Sequence, residues 1–192
     1  ARSGRAPLPR TTQRCLPTSH NHSQLILIMK TLHLIRHAKS SWDEVGLADI
    51  HRPLSRRGES DCGIMAAALF AAGVQFKQVY CSVAQRARLT IQGLADDWPG
   101  QPIEWQTTDA LYSFSSTGVW QWVNGLDDDF NEVFLVGHNP AFTDFINEAG
   151  NEKINNLPTC GYVKLTFPPA VWADVCEGTA TSLHYLKPKM FK

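Results

Sequence analysis

The sequence lacks a charge excess of either sign: 18 Lys and Arg face 18 Asp and Glu, for a formal net charge of zero. A general nucleic-acid or membrane-surface role draws on a basic surplus, so neither is supported. No apolar run approaches membrane-spanning length; the longest near the N-terminus is Leu25 to Met29. Cysteine is sparse, with five residues at positions 15, 62, 81, 160 and 176 and no C-x-x-C pair. An odd, scattered set argues against a disulfide frame or a zinc module and suits a reducing, cytoplasmic compartment. There is no internal repeat and no low-complexity tract. What remains is a chain of 192 residues, 43% apolar, long enough for one domain with a real core and too apolar for general disorder.

Residues 1–28 differ from the rest. They hold Arg2, Arg5, Arg10 and Arg14, three prolines and no acid, and the first Met is Met29. The expectation is a disordered extension before a single domain over 29–192. A transit peptide to an organelle is the alternative, but no amphipathic helix can be drawn between Pro7, Pro9 and Pro17. Setting these residues aside leaves 14 basic against 18 acidic residues, a net of −4.

From Lys30 the pattern alternates strand and helix. Lys30–Arg36 reads as a buried parallel strand. Ser55 is placed to cap a helix through Ala72, with Gly73 as its stop. Gln78–Ser82 reads as a strand, Gln85–Trp98 as a helix, Pro102–Gln106 as a weak strand and Thr117–Leu126 as a helix. Glu132–Gly137 is the clearest strand. Asn139-Pro140 then has the form of an N-cap with Pro at the first helical position, opening a helix to about Ala149. Tyr162–Phe167 and Thr181–Leu186 complete the set as strands. Such alternation predicts a three-layer α/β/α sandwich with a mostly parallel central sheet.

Ligands of open α/β sheets sit beyond the carboxyl ends of the strands. Just past the first strand lies Arg36-His37-Ala38-Lys39-Ser40, past the second Ser82-Val83-Ala84-Gln85-Arg86-Ala87-Arg88, and past the central one Gly137-His138-Asn139. Two histidines and at least two arginines thus converge on one edge. Guanidinium forks bind phosphate oxygens in pairs. A neutral imidazole can attack phosphorus, and a protonated one can stabilise the oxygens in transfer.

Arg36-His37-Ala38-Lys39 resembles the R-H-G/A signature of the histidine phosphatase (phosphoglycerate-mutase-like) superfamily. The string LIRHAKSSW with Arg52-Pro53-Leu54-Ser55-Arg56-Arg57-Gly58 is similar to its small bacterial branch related to the phosphohistidine phosphatase SixA. Ser82 to Ala87 with Thr90 resembles the segment supplying the second phosphate arginine, and Val136-Gly137-His138-Asn139-Pro140 the segment supplying the second histidine. The resemblance implies His37 as nucleophile, with Arg36, Arg86 and a protonated His138 around the phosphoryl group. It implies supporting contacts from Ser40, and Arg52 at the entrance; Asn139 is assigned to substrate contact or, with more weight, to helix capping. Lys39 and Arg88 are peripheral.

The acid that protonates an alkoxide leaving group has its nearest match in Asp109, for which an exposed turn aspartate is an equal reading. A phosphoramidate such as phosphohistidine leaves as imidazole and makes less demand on an acid. The implied function is therefore a phosphatase needing no metal and no cofactor, acting on a phosphohistidine-carrying protein. Alternatives are a phosphatase of a small phosphomonoester and a non-catalytic phosphate-recognising module. A mutase is disfavoured because short connections hardly supply a water-excluding lid.

The remaining residues have plainer readings. His33 fits a core position, and a metal site from His33, His37 and His51 lacks supporting carboxylates. Asp127-Asp128-Asp129 reads as a solvated loop. The five tryptophans from Trp98 to Trp172 read as packing residues.

Overall fold

The computed structural model describes residues 29–192; the readings made for residues 1–28 lie outside the described residues. β4 (Glu132–Gly137) is buried at every position but its first, and β1 (Lys30–Arg36) nearly so, as strands covered on both faces must be. With β2 (Val79–Ser82) and β3 (Trp105–Thr108) they form a parallel run in the order β3-β2-β4-β1. β5 (Tyr162–Phe167) and β6 (Ser182–Leu186) extend the sheet antiparallel beyond β1. The sheet is thus mostly parallel, as the alternation of elements predicts.

Side-chain alternation divides the core between the two faces. Leu32, Leu34, Val133 and Leu135 pack toward α3 (Ser116–Asn124) and α4 (Ala141–Ala149). Ile35, Val79, Cys81, Phe134 and Val136 pack toward α1 (Arg56–Ala71) and α2 (Gln85–Asp96). The period-2 pattern of the strands therefore determines the three layers. Among the described residues, no helix is long and apolar enough to cross a membrane.

Several boundaries differ from the sequence-based expectation. β3 begins at Trp105, not Pro102, because pairing with β2 runs from Val79↔Trp105 to Ser82↔Thr108. α2 ends at Asp96, and Trp98 turns edge-on against Phe70 and Phe76. α3 starts one residue early, capped by Ser115, and stops at Asn124, whose amide donates to the carbonyls of Trp172 and Val175. Asn139 does not cap α4. Its side-chain amide instead donates to Asn156 Oδ1 and the Leu157 carbonyl, and α4 opens at Ala141 with no side-chain cap. The acidic run is more than a solvated loop. Asp128 accepts from the Trp172 N–H through its carboxylate and from the buried Lys30 ammonium through its carbonyl.

The start of α1 is clamped to the segment that follows β1. Ser55 Oγ accepts from Gly58 N, and Ser55 donates twice to the Lys39 carbonyl, from N at 2.8 Å and from Oγ at 3.0 Å. A Cβ on Gly58 would lie 2.3 Å from that carbonyl oxygen. Gly58→Ala is expected to lower unfolding free energy by about 1–3 kcal/mol through this overlap. Urea denaturation measures it, and an unchanged midpoint would contradict the close approach.

Candidate active site

The register of β1 on β4 pairs Arg36 with Gly137, and His37 N donates to the Gly137 carbonyl at 3.0 Å. The next residues, His37 and His138, therefore leave the sheet side by side, with ring centroids 5.1 Å apart at 52°. Both are buried. β2 ends in Ser82, and the first turn of α2 brings in Arg86. Three parallel strand ends and one helix start thus deliver the groups that the sequence places together.

His37 has a defined tautomer. Its Nδ1 lies 2.8 Å from the Ala38 carbonyl, which can only accept, so Nδ1 carries the proton and Nε2 keeps its lone pair. Burial lowers its pKa to about 4; the Ala38 bond opposes this, and the charges of Arg86, Arg36 and Arg52 add to it. The ring is neutral at neutral pH, as a nucleophile must be. His138 is pushed lower, to about 3, by burial, then by His37 and Arg86, with Asp49 opposing. Burial among these protein groups thus disfavours the proton that the resemblance places on His138 during transfer. Its Nε2 lies 2.8 Å from Ser82 Oγ.

Two buried nitrogens stand out. Arg36 Nε and His138 Nδ1 have no hydrogen-bond partner among the described residues, although a buried polar atom left unpaired costs about 1–3 kcal/mol. The rest of Arg36 is anchored, with one terminal nitrogen donating to the Leu157 carbonyl at 2.7 Å and to Asn156 Oδ1 at 3.4 Å. An anion among these groups is the partner that such orphaned nitrogens fit.

Asp49, which sequence reasoning missed, ties the arginines together. It sits in a single 3-10 turn, Asp49–His51. Arg86 donates to its carbonyl at 2.6 Å and to Oδ2 at 2.9 Å, Tyr112 Oη donates to Oδ2 at 2.8 Å, and Arg52 to Oδ1 at 3.1 Å. Burial raises the Asp49 carboxyl, but the bonds from Tyr112 and Arg86 and the charge of Arg86 outweigh it and hold it below its usual range. Its signal in the sequence, an Asp three residues before Arg52, looks like any solvated loop residue. Tyr112 and Phe114 add an aromatic wall, their rings 5.4 and 5.5 Å from that of His138. Thr90 ties α2 to the segment after β1: Oγ1 accepts from Ala38 N and donates to the Arg86 carbonyl within the helix.

The other sequence-derived candidates fall in distinct places. Ser40 is buried and accepts from Arg52 at 2.6 Å. Arg52 is buried too, its remaining donors on Ser41 O and Asp49, with the Trp42 ring 3.2 Å from its guanidinium carbon. Asn139 faces Asn156 and Leu157, beside Arg36. Asp109 is exposed at the carboxyl end of β3, its carbonyl accepting from Tyr112 N. His33 is engaged elsewhere, with Tyr162 and Glu132 on its two nitrogens and its ring stacked on Phe134 at 3.8 Å. Among the described residues, no group of three His, Cys, Asp or Glu converges as metal ligands.

Residues 32–142 match the family model of the histidine phosphatase superfamily (branch 1). A protein of Mycobacterium tuberculosis is 31% identical over 165 residues, spanning 81% of this chain and 100% of that one. The solved structure of the protein histidine phosphatase SixA complexed with tungstate superposes with a TM-score of 0.69 at 20% identity, covering 84% of this chain and 99% of the other. A SixA structure from Agrobacterium tumefaciens gives 0.68 at 22% identity, covering 83% and 99%. At these identities the two structures speak to the fold.

The depressed imidazoles make stability depend on pH with a definite sign. An unfolded chain protonates His37 and His138 near 6.5, whereas the folded chain refuses those protons down to about 4 and about 3. The unfolded state therefore binds more protons in that window, so stability is full above about 6.5 and falls as pH drops toward 4. Urea midpoints are expected to decline from pH 7 to pH 4.5, and imidazole NMR titration to show the His37 and His138 rings still neutral at pH 5. His37 and His138 titrating near 6.5 would contradict the burial of the pair.

Proposed function

The chain belongs to the histidine phosphatase superfamily, branch 1, and is a phosphatase; we propose that it works through a phosphohistidine formed on His37 and dephosphorylates phosphohistidine carried by a signalling or phosphotransfer protein. The observation that carries this reading is the state of His37: Nδ1 is tied to a carbonyl, Nε2 bears a lone pair, and the ring is neutral.

In the first step the His37 Nε2 lone pair forms a bond to phosphorus as the bond from phosphorus to the substrate nitrogen breaks. The departing imidazole nitrogen is protonated as it leaves. Arg36, Arg86 and His138 face the phosphoryl oxygens, and the dianion favours a proton on His138 that burial alone disfavours. In the second step water attacks phosphorus, the bond to Nε2 breaks, and phosphate leaves with His37 restored to its neutral form.

The choice of leaving group rests on the acids. Asp49 is held ionised by its neighbours and so is no proton donor. Asp109 is exposed. An alkoxide needs a donor, whereas an imidazole can take its proton from solvent. A small phosphomonoester is the second reading, favoured by the placement of Asp109 one short turn from Tyr112 and its wall on His138. In that case Asp109 is the general acid.

A metal-free assay comparing a phosphohistidine-carrying protein with a panel of small phosphomonoesters tests both. His37→Ala should lower kcat by at least about a thousandfold on every substrate. Wild-type enzyme quenched in turnover should carry acid-labile phosphate that the variant lacks. Asp109→Ala should leave phosphoramidate hydrolysis intact; a loss of about a hundredfold confined to esters selects the second reading. Wild-type rates in His37→Ala would end the assignment of the nucleophile.

A further inference from the structure

Behind the segment that anchors Arg36 lies a second depression, a cavity of about 340 Å³. Its wall carries four cations, Arg57 from the first turn of α1 and Lys187, Lys189 and Lys192 from the chain after β6. They stand on a domain whose net charge is −4, and from Gly178 to Lys192 the sequence contains no Asp or Glu. The positive potential here is therefore local and unopposed within that segment.

One acid lies at the floor. Asp61 is fully buried, with Lys192 Nζ 2.6 Å from Oδ1 and Arg57 Nε 3.6 Å from Oδ2. Neither contact is aligned as a hydrogen bond, so charge rather than directed donors holds the carboxylate. Against four cationic side chains this single acidic side chain leaves a surplus of three. Lys187 is steadied over the Tyr185 ring at 5.2 Å, and the Arg57 side chain is 68% exposed. Both remain open to a ligand from solvent.

The cavity and the phosphoryl site share a wall. Asn156 lines the cavity, and its Oδ1 accepts from Arg36 at 3.4 Å and from Asn139 at 2.8 Å on the other side. A ligand that reaches both passes the Asn156–Thr159 segment between them. We propose that this cavity docks the carboxylates of an acidic peptide segment flanking the phosphorylated residue of a protein substrate. The inference deepens the phosphohistidine-protein reading above and rests on it for the protein nature of the substrate. Charge complementarity selects such a segment, and rim charges of this kind act mainly on encounter and partner choice.

The test is titration of hexaglutamate into the full chain, with tungstate present to occupy the catalytic arginines. Saturable binding that weakens as salt is raised is expected. Lys187→Glu/Lys189→Glu should weaken it about tenfold, and the milder Lys189→Gln about twofold, since exposed charges contribute modestly one at a time. Thermal melts establish that each variant is folded, and the single substitution decides if the double one is not. Unchanged affinity in a folded variant overturns the proposal. So does binding seen only when tungstate is left out, or binding to phosphatidylserine vesicles without binding to peptide. Turnover is not needed for this readout, so a chain that docks hexaglutamate yet hydrolyses no phosphohistidine protein keeps the cationic docking site and loses only the catalytic reading.

Discussion

The parallel register of β1 on β4 is the constraint from which the rest follows. Pairing Arg36 with Gly137 places His37 and His138 on adjacent strand ends, and a slip of one residue would turn the side chains of the slipping strand to the opposite face of the sheet. The register is guarded from both sides. Cys160 N donates to the carbonyls of Arg36 and His37, and Arg36 N donates to Gly161 O, so the approach to β5 is fastened to the same residues. On the β4 side Gly137 lies beneath Phe142, where a Cβ would come within 2.5 Å of the ring. Two core halves that accept only one register thereby hold two imidazoles in contact.

Concentrating cations in a buried pocket has electrostatic consequences. Burial disfavours charge on Arg36, and it disfavours charge on both imidazoles more decisively. The guanidinium groups persist as cations because their intrinsic basicity is so high, whereas the histidines yield and become neutral. This division of labour suits the proposed phosphoryl transfer, in which permanent charge faces the oxygens while an uncharged nitrogen attacks phosphorus. Asp49 restrains the system. It balances Arg86 and Arg52, orients both through directed bonds, and reaches Tyr112, whose ring closes on His138. The mildly acidic domain thus needs no general attraction for anions.

Much of this was legible in the sequence. β1 and β4 fall where the sequence places them, because Leu32, Leu34 and Ile35 in β1 and Val133 to Val136 in β4 supply apolar side chains to both faces of the sheet and leave little choice of bounds. Ser55 caps α1 as its type and position suggest. Edge elements were less legible: β3 is an exposed edge strand with only β2 as partner, so pairing and not composition decides where it starts. Asn139 looked like a cap, but the carbonyl of Leu157 and the amide of Asn156 compete for its side chain, and that competition arises from residues 17 and 18 positions away. Lys30 reads as a polar strand start, yet it is fully buried with three acceptors around its ammonium, brought together from the loop before β4.

The sequence by itself determined the layers and the chemical cast: the alternating pattern dictates the sandwich, and motifs at three strand ends name His37, His138, Arg36 and Arg86. These are local properties, set by periodicity and by residue type at the end of a strand. Only the tertiary structure decided the charge state of each imidazole, the tautomer of His37 and the partners of the arginines. Those depend on burial and on groups such as Asp49, Tyr112 and Leu157, which are distant along the chain and neighbours only once the sheet has formed. The cationic cavity behind Asn156 belongs to the same class, since Arg57 and the three lysines are separated by more than a hundred residues and meet only across the folded surface.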